Sequence, residues 1–270
     1  MAELIAFVGG GQMAGSLVGG LRAAGHAAAR LRVAEPDAAR AEALRREFGV
    51  EVKPTAREVA DGVDALVLAV KPQVMREALQ GLQPAASTTV VSIAAGVRID
   101  SLRQWLGAAA PIVRCMPNTP ALLRYGVTGL YAPASVPPPS RQLAEKILSA
   151  VGQTCWLADE AQLDAVTALS GSGPAYYFLL TEALRDAGQA LGLDSATAKL
   201  LAERTLIGAG RMAESAGQDV AGLRANVTSK GGTTEAAVAH LEQHGLRQLF
   251  ADALRAAQRR SRELGAALAK

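Results

Sequence analysis

The chain has 270 residues, of which half are apolar and 20% are charged, a composition typical of a protein that buries a sizeable core. Its formal net charge is only +3, and its Lys and Arg residues are scattered among acidic ones, so no basic stripe for nucleic acid is found. No apolar run reaches the ~18 residues of a membrane helix, and no signal-peptide pattern is present, so we expect a cytoplasmic protein with no membrane partner. Cys115 and Cys155 lack metal-type spacing, so we expect both to be reduced thiols.

The first part of the chain alternates strand and helix patterns. The apolar run 4–8 predicts a buried strand, a helix follows over 12–24, and a second strand covers 31–34. Further strands are predicted at 51–52, 65–70, 89–93, 112–114, 126–131 and 154–157, with helices at 37–48 and 140–151. This alternation is typical of a parallel sheet with both faces covered, so residues 1–160 are predicted to form an α/β domain around such a sheet.

After residue 160 the strand pattern ends. Helices are predicted at 163–169, at 174–191, where Pro174 lies in the first turn, at 195–216, and from 234 to the C-terminus with a break at Gly245. Because only helices are predicted in this part of the chain, residues 161–270 are expected to form a second, all-α domain. Because many of its helical residues are Ala, Gly and Leu, and such flat helices often pack against a partner chain, we expect a homodimer built through this domain.

A glycine-rich turn follows the first strand. The pattern G-x-G-x-x-A, from Gly9 to Ala14, lies between a strand and a helix, which is the context of a dinucleotide-binding fingerprint. The first glycine forms the tight turn, the next lets the backbone approach a pyrophosphate, and Ala14 permits close packing of helix on strand. The phosphates would then lie on the free N–H groups at the helix start. The alternative is a glycine-rich turn without a cofactor.

The end of the second strand carries Glu35. A carboxylate at this position accepts hydrogen bonds from the adenosine ribose and repels a 2′-phosphate, which favours NAD(H). Arg40, one helical turn further on, could still meet a phosphate. The alternative is that Glu35 is a solvated loop residue.

Three later segments follow predicted strands at the sheet edge where open α/β folds bind ligands: Ala69–Pro72, Ser92–Gly96 and Met116–Pro120. The two prolines of the last segment would fix a rigid loop around Asn118, suited to holding a nicotinamide edge. The alternative for Pro72 is a proline that only ends a strand.

A loop over 227–235 opens the last helical region. Two glycines expose backbone N–H groups where a helix begins, flanked by four hydroxyls and one ammonium group, which suits a small carboxylate. The alternative is plain N-capping by Thr233 or Thr234. His240 and His244 lie four residues apart, but their spacing is not H-E-x-x-H and no third ligand is near, so we expect no metal.

Together these segments resemble pyrroline-5-carboxylate reductase, and the resemblance runs through almost the whole chain. It is carried by residues 7–14, 69–72, 94–97, 114–120 and, most specifically, 168–176 with the loop 228–234. The resemblance implies reduction of 1-pyrroline-5-carboxylate to L-proline with NADPH or NADH as hydride donor. It also implies that residues 1–160 are a Rossmann-like, doubly wound dinucleotide-binding domain. Residues 161–270 would be a helical substrate-binding domain that interlocks with its mate in a dimer, often in rings of dimers.

The resemblance also implies roles for individual residues. The dinucleotide phosphates would be held by Val8, Gly9, Gly10, Gly11, Gln12 and Met13. The ribose and nicotinamide would be lined by Ala69, Val70, Lys71, Pro72, Ile93, Ala94 and Ala95, with Asn118 also counted among the cofactor residues. The substrate carboxylate would be held by Ser229, Gly231, Gly232, Thr233 and Thr234, with Lys230 beside them. The Thr234 hydroxyl would face the ring nitrogen as the catalytic group.

The sequence departs from the family pattern at three positions. Lys230 stands where the family commonly has Pro, which puts the stiffness of the loop in doubt. Ala56 stands where many members carry Asn, and Glu35 where members that accept NADP often have a small polar residue. The choice between NADH and NADPH is therefore open.

Two other functions compete with this interpretation. A β-hydroxyacid or 6-phosphogluconate-type dehydrogenase has a similar two-domain plan, but it needs a catalytic lysine near the start of the second domain. No lysine lies between Lys146 and Lys199, which argues against it. A non-catalytic NAD-binding regulator would bind the cofactor without turnover.

Overall fold

The computed structural model describes residues 3–107 and 109–268. Its strands are β1 (Ile5–Val8), β2 (Leu31–Ala34), β3 (Glu51–Lys53), β4 (Ala65–Leu68), β5 (Thr89–Ser92), β6 (Ile112–Met116), β7 (Gly126–Tyr131) and β8 (Gly152–Trp156). Over this described part, they form one eight-stranded sheet in the order β3-β2-β1-β4-β5-β6-β7-β8. The first six strands follow the 3-2-1-4-5-6 order of a doubly wound dinucleotide-binding fold, which confirms the predicted fold class.

The sheet differs from the expected parallel arrangement at one ladder. β6 and β7 pair antiparallel, with Cys115 opposite Leu130, whereas the other ladders are parallel. The chain passes from β6 to β7 through a short 3₁₀ turn, Thr119–Leu123, and has no crossover helix there. A parallel return needs a crossover of a dozen or more residues, so the short connection reverses the strand.

The helices are α1 (Gln12–Ala23), α2 (Ala38–Phe48), α3 (Pro72–Ala78), α4 (Ile99–Leu106), α5 (Pro138–Ser149), α6 (Gln162–Val166), α7 (Gly173–Ala190), α8 (Ser195–Ser215), α9 (Val220–Asn226), α10 (Thr233–Gln243) and α11 (Leu246–Leu268). The sequence did not predict α3, α4 and α9, which are short. It did predict the break before α11, where Gly245 has φ 74°. None of the described helices is long and apolar enough to cross a membrane.

Two apolar clusters cover the two faces of the sheet. One contains Phe7 and Val113 from the sheet with Leu17 of α1 and Ile147 of α5. The other contains Leu66 with residues of α3 and α4. Alternate residues of each buried strand therefore face opposite cores, as in a sheet with helices on both sides.

The described chain divides into two compact units. The first unit consists of the residues up to Ser172 together with those from Ala257 onwards, and the second unit is Gly173–Ala256. The first unit thus contains the sheet and also the last turns of α11, where Ser261 donates a hydrogen bond to Asp164 at 2.7 Å. The boundary near residue 160 stays a prediction.

The second unit exposes much of its apolar surface. Helices α7 and α8 each bury a single residue, Gly173 and Ala198. Tyr177, Phe178 and Leu179 are 61–66% exposed. An exposed apolar surface of this kind is typical of an interaction site.

Gly20→Ala is expected to lower the free energy of unfolding by about 1–3 kcal/mol, because α1 packs here directly on the end of α5. An added Cβ would lie 2.6 Å from the Ala150 carbonyl oxygen and 2.6 Å from Val151 Cγ1. Gly15→Ala on the same helix is the matched control, since its Cβ meets no atom within 4 Å and alanine favours a helix by about 0.5–1 kcal/mol. Urea unfolding at one protein concentration measures both changes, and equal stability of the two variants would contradict this packing.

Candidate functional site

The first residue of the glycine turn, Gly9, has no room for a side chain. Gly9 has φ 100°, and an added Cβ would lie 2.7 Å from Val70 Cγ1 and 3.0 Å from the Ala69 backbone. Its N–H donates to the Ala34 carbonyl at 2.9 Å, which ties the turn to β2. Gly9 therefore forms the tight turn that the sequence predicted.

The next two glycines face different surroundings. An added Cβ at Gly10 would lie 2.6 Å from Leu44 Cδ1, so Gly10 is needed for packing against α2. An added Cβ at Gly11 meets nothing within 4 Å. Gly11 is thus the position where the turn is open to a bound molecule.

The start of α1 offers backbone donors to such a molecule. Gly11 is the N-cap of α1, and no side chain caps this helix end. The first N–H groups of a helix have no intrahelical acceptor, and the helix dipole favours an anion there. Ala14 in the same turn is buried, as close packing on the sheet requires. These residues fit the pyrophosphate of a dinucleotide.

Glu35 is buried and already hydrogen-bonded. Its side chain is only 5% exposed. Its Oε2 accepts from the Gly10 N–H at 3.0 Å and from Arg40 at 3.3 Å, and its Oε1 accepts from the Asp37 N–H at 2.9 Å. Glu35 is therefore not the solvated loop residue considered above. Its predicted bond to a ribose stays a prediction.

The carboxyl ends of β1, β4 and β5 lie side by side. The Ala69 N–H donates to the Val8 carbonyl at 2.8 Å, and the Ile93 N–H donates to the Leu68 carbonyl at 3.2 Å. The structure therefore brings the three predicted cofactor segments to one edge of the sheet: residues 8–14, 69–72 and 93–95. Pro72 does more than end a strand, because it is the first residue of α3.

Two polar side chains near this edge have different roles. Asn118 accepts a hydrogen bond from the Val127 N–H at 2.9 Å, so its side-chain oxygen joins the loop after β6 to β7. Ser92, at the end of β5, has a buried hydroxyl with no hydrogen-bond partner in the described structure. A buried polar group of this kind is a place where a bound molecule or water is expected. The sequence analysis placed Ser92 in the predicted segment 92–96 but gave its hydroxyl no role.

The predicted substrate loop lies in the second unit. Gly231 has φ 73°, and its N–H donates to Glu235 Oε2 at 2.7 Å. Gly232 is the N-cap of α10, again with no side-chain cap. Thr233 and Thr234 are the first residues inside the helix, so plain N-capping by either threonine is not their role. The loop thus presents uncapped N–H groups next to two hydroxyls, and Lys230 beside them is exposed.

A π-helical turn, Thr167–Gly171, precedes α7. The sequence predicted an ordinary helix over 163–169. An added Cβ at Gly171 would lie 2.6 Å from Met116 Cε, so the glycine allows this turn to pack on the residue that precedes Pro117. Single π turns occur often near functional sites. Pro174 follows as the second residue of α7, as predicted.

The histidine pair at the end of α10 and the two cysteines belong to no cluster of metal-binding side chains in the described ranges. His240 and His244 stack with ring centroids 4.0 Å apart, and no group of three or more His, Cys, Asp or Glu in the described ranges could hold a metal. Cys115 is buried, and burial raises the pKa of its thiol. Cys155 is exposed.

Similarity to known proteins extends over nearly the whole chain. Residues 160–264 match the family model for pyrroline-5-carboxylate reductase dimerisation, and residues 4–96 match that for NADP oxidoreductase, coenzyme F420-dependent. A pyrroline-5-carboxylate reductase from Pseudomonas aeruginosa is 50% identical over 262 residues, which are 96% of each chain.

Solved structures give the same result. The structure of a pyrroline-5-carboxylate reductase from Coxiella burnetii is 43% identical, with a TM-score of 0.93 over 98% of this chain and 99% of that one. The Plasmodium falciparum pyrroline carboxylate reductase with NADP bound is 29% identical, with a TM-score of 0.83 over 97% and 98% of the two chains.

Proposed function

This chain belongs to the pyrroline-5-carboxylate reductase family and is an NAD(P)H-dependent reductase of 1-pyrroline-5-carboxylate, and we propose that the glycine turn holds its cofactor and the start of α10 its substrate. One observation carries the residue assignment. Both α1 and α10 begin after a glycine, Gly11 and Gly232, and neither helix start has a side-chain cap. Each of these helix starts can therefore bind an anion, the pyrophosphate in one case and the carboxylate of the cyclic imine in the other.

The cofactor assignment extends along the sheet edge. Residues 8–14 hold the phosphates, and residues 69–72 and 93–95 line the ribose and nicotinamide. A bound reduced nicotinamide supplies the hydride that the C=N carbon accepts. Gly11 supplies the space for the phosphates, and the carboxyl ends of β1, β4 and β5 orient the rest of the molecule.

The substrate assignment uses the hydroxyls and amides of the loop 229–234. The N–H groups of Thr233 and Thr234 bind the carboxylate, and the neighbouring Gly231 N–H already donates to a carboxylate of the chain itself, Glu235 Oε2, at 2.7 Å. The Thr234 hydroxyl oxygen accepts a hydrogen bond from the N–H of the protonated ring nitrogen, which keeps the C=N bond in one orientation. The protonated imine is already a good electrophile, so positioning contributes most of the catalysis (up to ~7–11 kcal/mol).

Thr234→Ala is expected to lower kcat/KM by about 10- to 100-fold, because one hydrogen bond to a charged ring nitrogen is lost. The assay follows the loss of reduced-cofactor absorbance after pyrroline-5-carboxylate is added, with NADPH and NADH tested separately, and confirms proline as product. Thr234→Ser should recover most of the activity.

Thr228→Ala is the matched control for Thr234→Ala. The Thr228 hydroxyl donates to the Arg224 carbonyl at 2.6 Å and thus serves the loop backbone, so we expect less than about a twofold change. Wild-type enzyme that binds the cofactor but does not turn over would support the non-catalytic regulator instead. A Thr234→Ala variant as active as wild type would overturn only the role of Thr234.

The second unit supports a homodimer. Its helices match a dimerisation family and leave Tyr177, Phe178 and Leu179 exposed in the single chain. We expect these helices to pack on those of a second copy, and dimers to assemble further into a ring. Light scattering on a size-exclusion column gives the size of the assembly. A cytoplasmic location is also part of this proposal, and it agrees with the two free cysteines.

A further inference from the structure

We propose that Glu160 is a positioning residue for the reaction, because together with Arg114 it holds both ends of the segment 93–98 that follows β5. The inference rests on the proposed cofactor site, in which residues 93–95 line the nicotinamide. It goes beyond that site by giving a role to an ion pair that has no part in the assignment above.

The ion pair joins the sheet to the segment before α6. Arg114 Nη1, on β6, lies 2.7 Å from Glu160 Oε1, and the two side chains are 8% and 22% exposed. A guanidinium group that is buried to this extent needs a counter-charge, because an unpaired charge away from water is costly. Glu160 is therefore held in one place by a side chain that projects from the sheet.

The first end of the segment 93–98 is attached to the strand that carries Arg114. Ser92, the last residue of β5, pairs in register with Arg114, and Ile93 follows it directly. Arg114 lies two residues after Ile112, which belongs to the apolar cluster that includes residues of α3 and α4. Since alternate residues of a strand share a face, the Arg114 side chain is on the α3 and α4 side of the sheet.

The other end of the segment is attached to the ion pair itself. Ile99 is the first residue of α4, and its N–H donates to Glu160 Oε1 at 2.9 Å. Arg98, the N-cap residue, supplies no side-chain cap, so the distant Glu160 carboxylate takes this place. The free N–H groups and the dipole of a helix start favour a carboxylate there. One oxygen atom thus accepts hydrogen bonds from both Arg114 and Ile99.

The loss of this acceptor would release only the end of the segment at Ile99. The end at Ser92 would stay in the sheet, so residues 93–95 would change their orientation toward the nicotinamide. A misplacement of about 1 Å can lower a rate by about 100-fold. The glycine turn follows β1, which β4 separates from β5, so the binding of the adenine half of the cofactor should not change.

The test compares Kd values measured by calorimetry for NADPH and for its adenine half, adenosine 2′,5′-bisphosphate, and adds kcat at saturating cofactor. Glu160→Ala should raise the Kd for NADPH about 10-fold and change that for the adenine half by less than about twofold. Its kcat should fall by about 10- to 100-fold. Glu160→Gln should recover part of both losses, because its side-chain oxygen can still accept the Ile99 N–H.

Asp159→Ala is the matched control for Glu160→Ala. Asp159 is the neighbouring residue, is exposed, and accepts the Ala161 N–H at 2.8 Å within its own turn. Its loss changes the net charge equally and leaves the acceptor of Ile99 in place. Both Kd values and kcat should stay at the wild-type level.

Arg114→Met combined with Glu160→Leu separates positioning from stability. Glu160→Ala leaves Arg114 buried without a counter-charge, whereas the double variant removes both charges and should bring the Tm back close to that of the wild type. The Ile99 N–H still lacks its acceptor, so the losses in NADPH affinity and kcat should remain. Recovery of the Tm, the affinity and kcat together would overturn the inference, because the ion pair would then serve stability alone.

Equal weakening of NADPH and of the adenine half by Glu160→Ala, or no weakening of either, would also overturn the inference. Ala95→Val distinguishes this failure from failure of the proposed cofactor site, because Ala95 belongs to the segment itself. If Ala95→Val weakens NADPH alone and Glu160→Ala does not, only the role of Glu160 is wrong. If Ala95→Val leaves the Kd for NADPH unchanged, the proposed lining of the nicotinamide is wrong, and the role of Glu160 with it.

Discussion

Gly11→Val is expected to raise the Kd for NADPH by at least about 100-fold and to leave the Tm of the free protein near that of the wild type. An added Cβ at Gly11 meets no atom within 4 Å, and the backbone is extended there, with φ −67° and ψ −177°. A β-branched residue is therefore allowed in the free protein. Its methyl groups fill the space in front of the first N–H groups of α1, and at least two charge-assisted hydrogen bonds to the phosphates are lost.

The neighbouring glycines cannot provide this test. An added Cβ would lie 2.7 Å from Val70 at Gly9 and 2.6 Å from Leu44 at Gly10, so those variants would change the fold as well as binding. Gly11→Ala is the better companion, with a smaller expected loss in the same direction. Fluorescence titration with NADPH measures all of the variants. Wild-type affinity in Gly11→Val would show that the phosphates do not lie on the start of α1.

Gly232→Val is expected to lower kcat/KM for pyrroline-5-carboxylate by at least about 100-fold, with no change in the Kd for NADPH. An added Cβ at Gly232 would lie 2.7 Å from Ser229 Oγ and 3.0 Å from the Ser229 carbonyl oxygen. The larger side chain thus displaces the loop and covers the first N–H groups of α10. The substrate loses its carboxylate contacts, while the glycine turn, in the other unit, keeps its structure.

The unchanged Kd for NADPH is the internal control for Gly232→Val, and circular dichroism checks the helices. A second comparison uses proline as a competitive inhibitor, whose inhibition constant should rise with the loss of kcat/KM, because it carries the same carboxylate. If proline inhibits the variant as strongly as the wild type, the carboxylate binds somewhere other than the start of α10.

Local pattern was enough to predict the strands and the glycine turn. β1 and β4 are continuous apolar runs, because both faces of a central parallel strand are buried, and Gly9 interrupts the pattern where a positive φ is needed. The break before α11 was predictable for the same reason, since Gly245 ends one helix with φ 74°.

Features set by distant contacts were not predictable in this way. The direction of β7 depends on the short return from β6, and α3 begins at a proline that local pattern also assigns to the end of a strand. Glu35 has the same local sequence whether it faces solvent or the Gly10 amide, and only the folded chain decides between them. The bond between Gly231 and Glu235 was not predicted, although an acidic residue in the first turn of a helix was a signal for it.

In the proposed homodimer, the free energy of unfolding would not be a fixed property of the single chain, because a second copy covers the exposed surface of α7 and α8. If Tyr177, Phe178 and Leu179 leave water only when two copies meet, dissociation and unfolding become one linked equilibrium. Its midpoint then rises with protomer concentration by mass action. A dilute sample will therefore unfold at a lower temperature or denaturant concentration than a concentrated one, although every contact within the chain is the same.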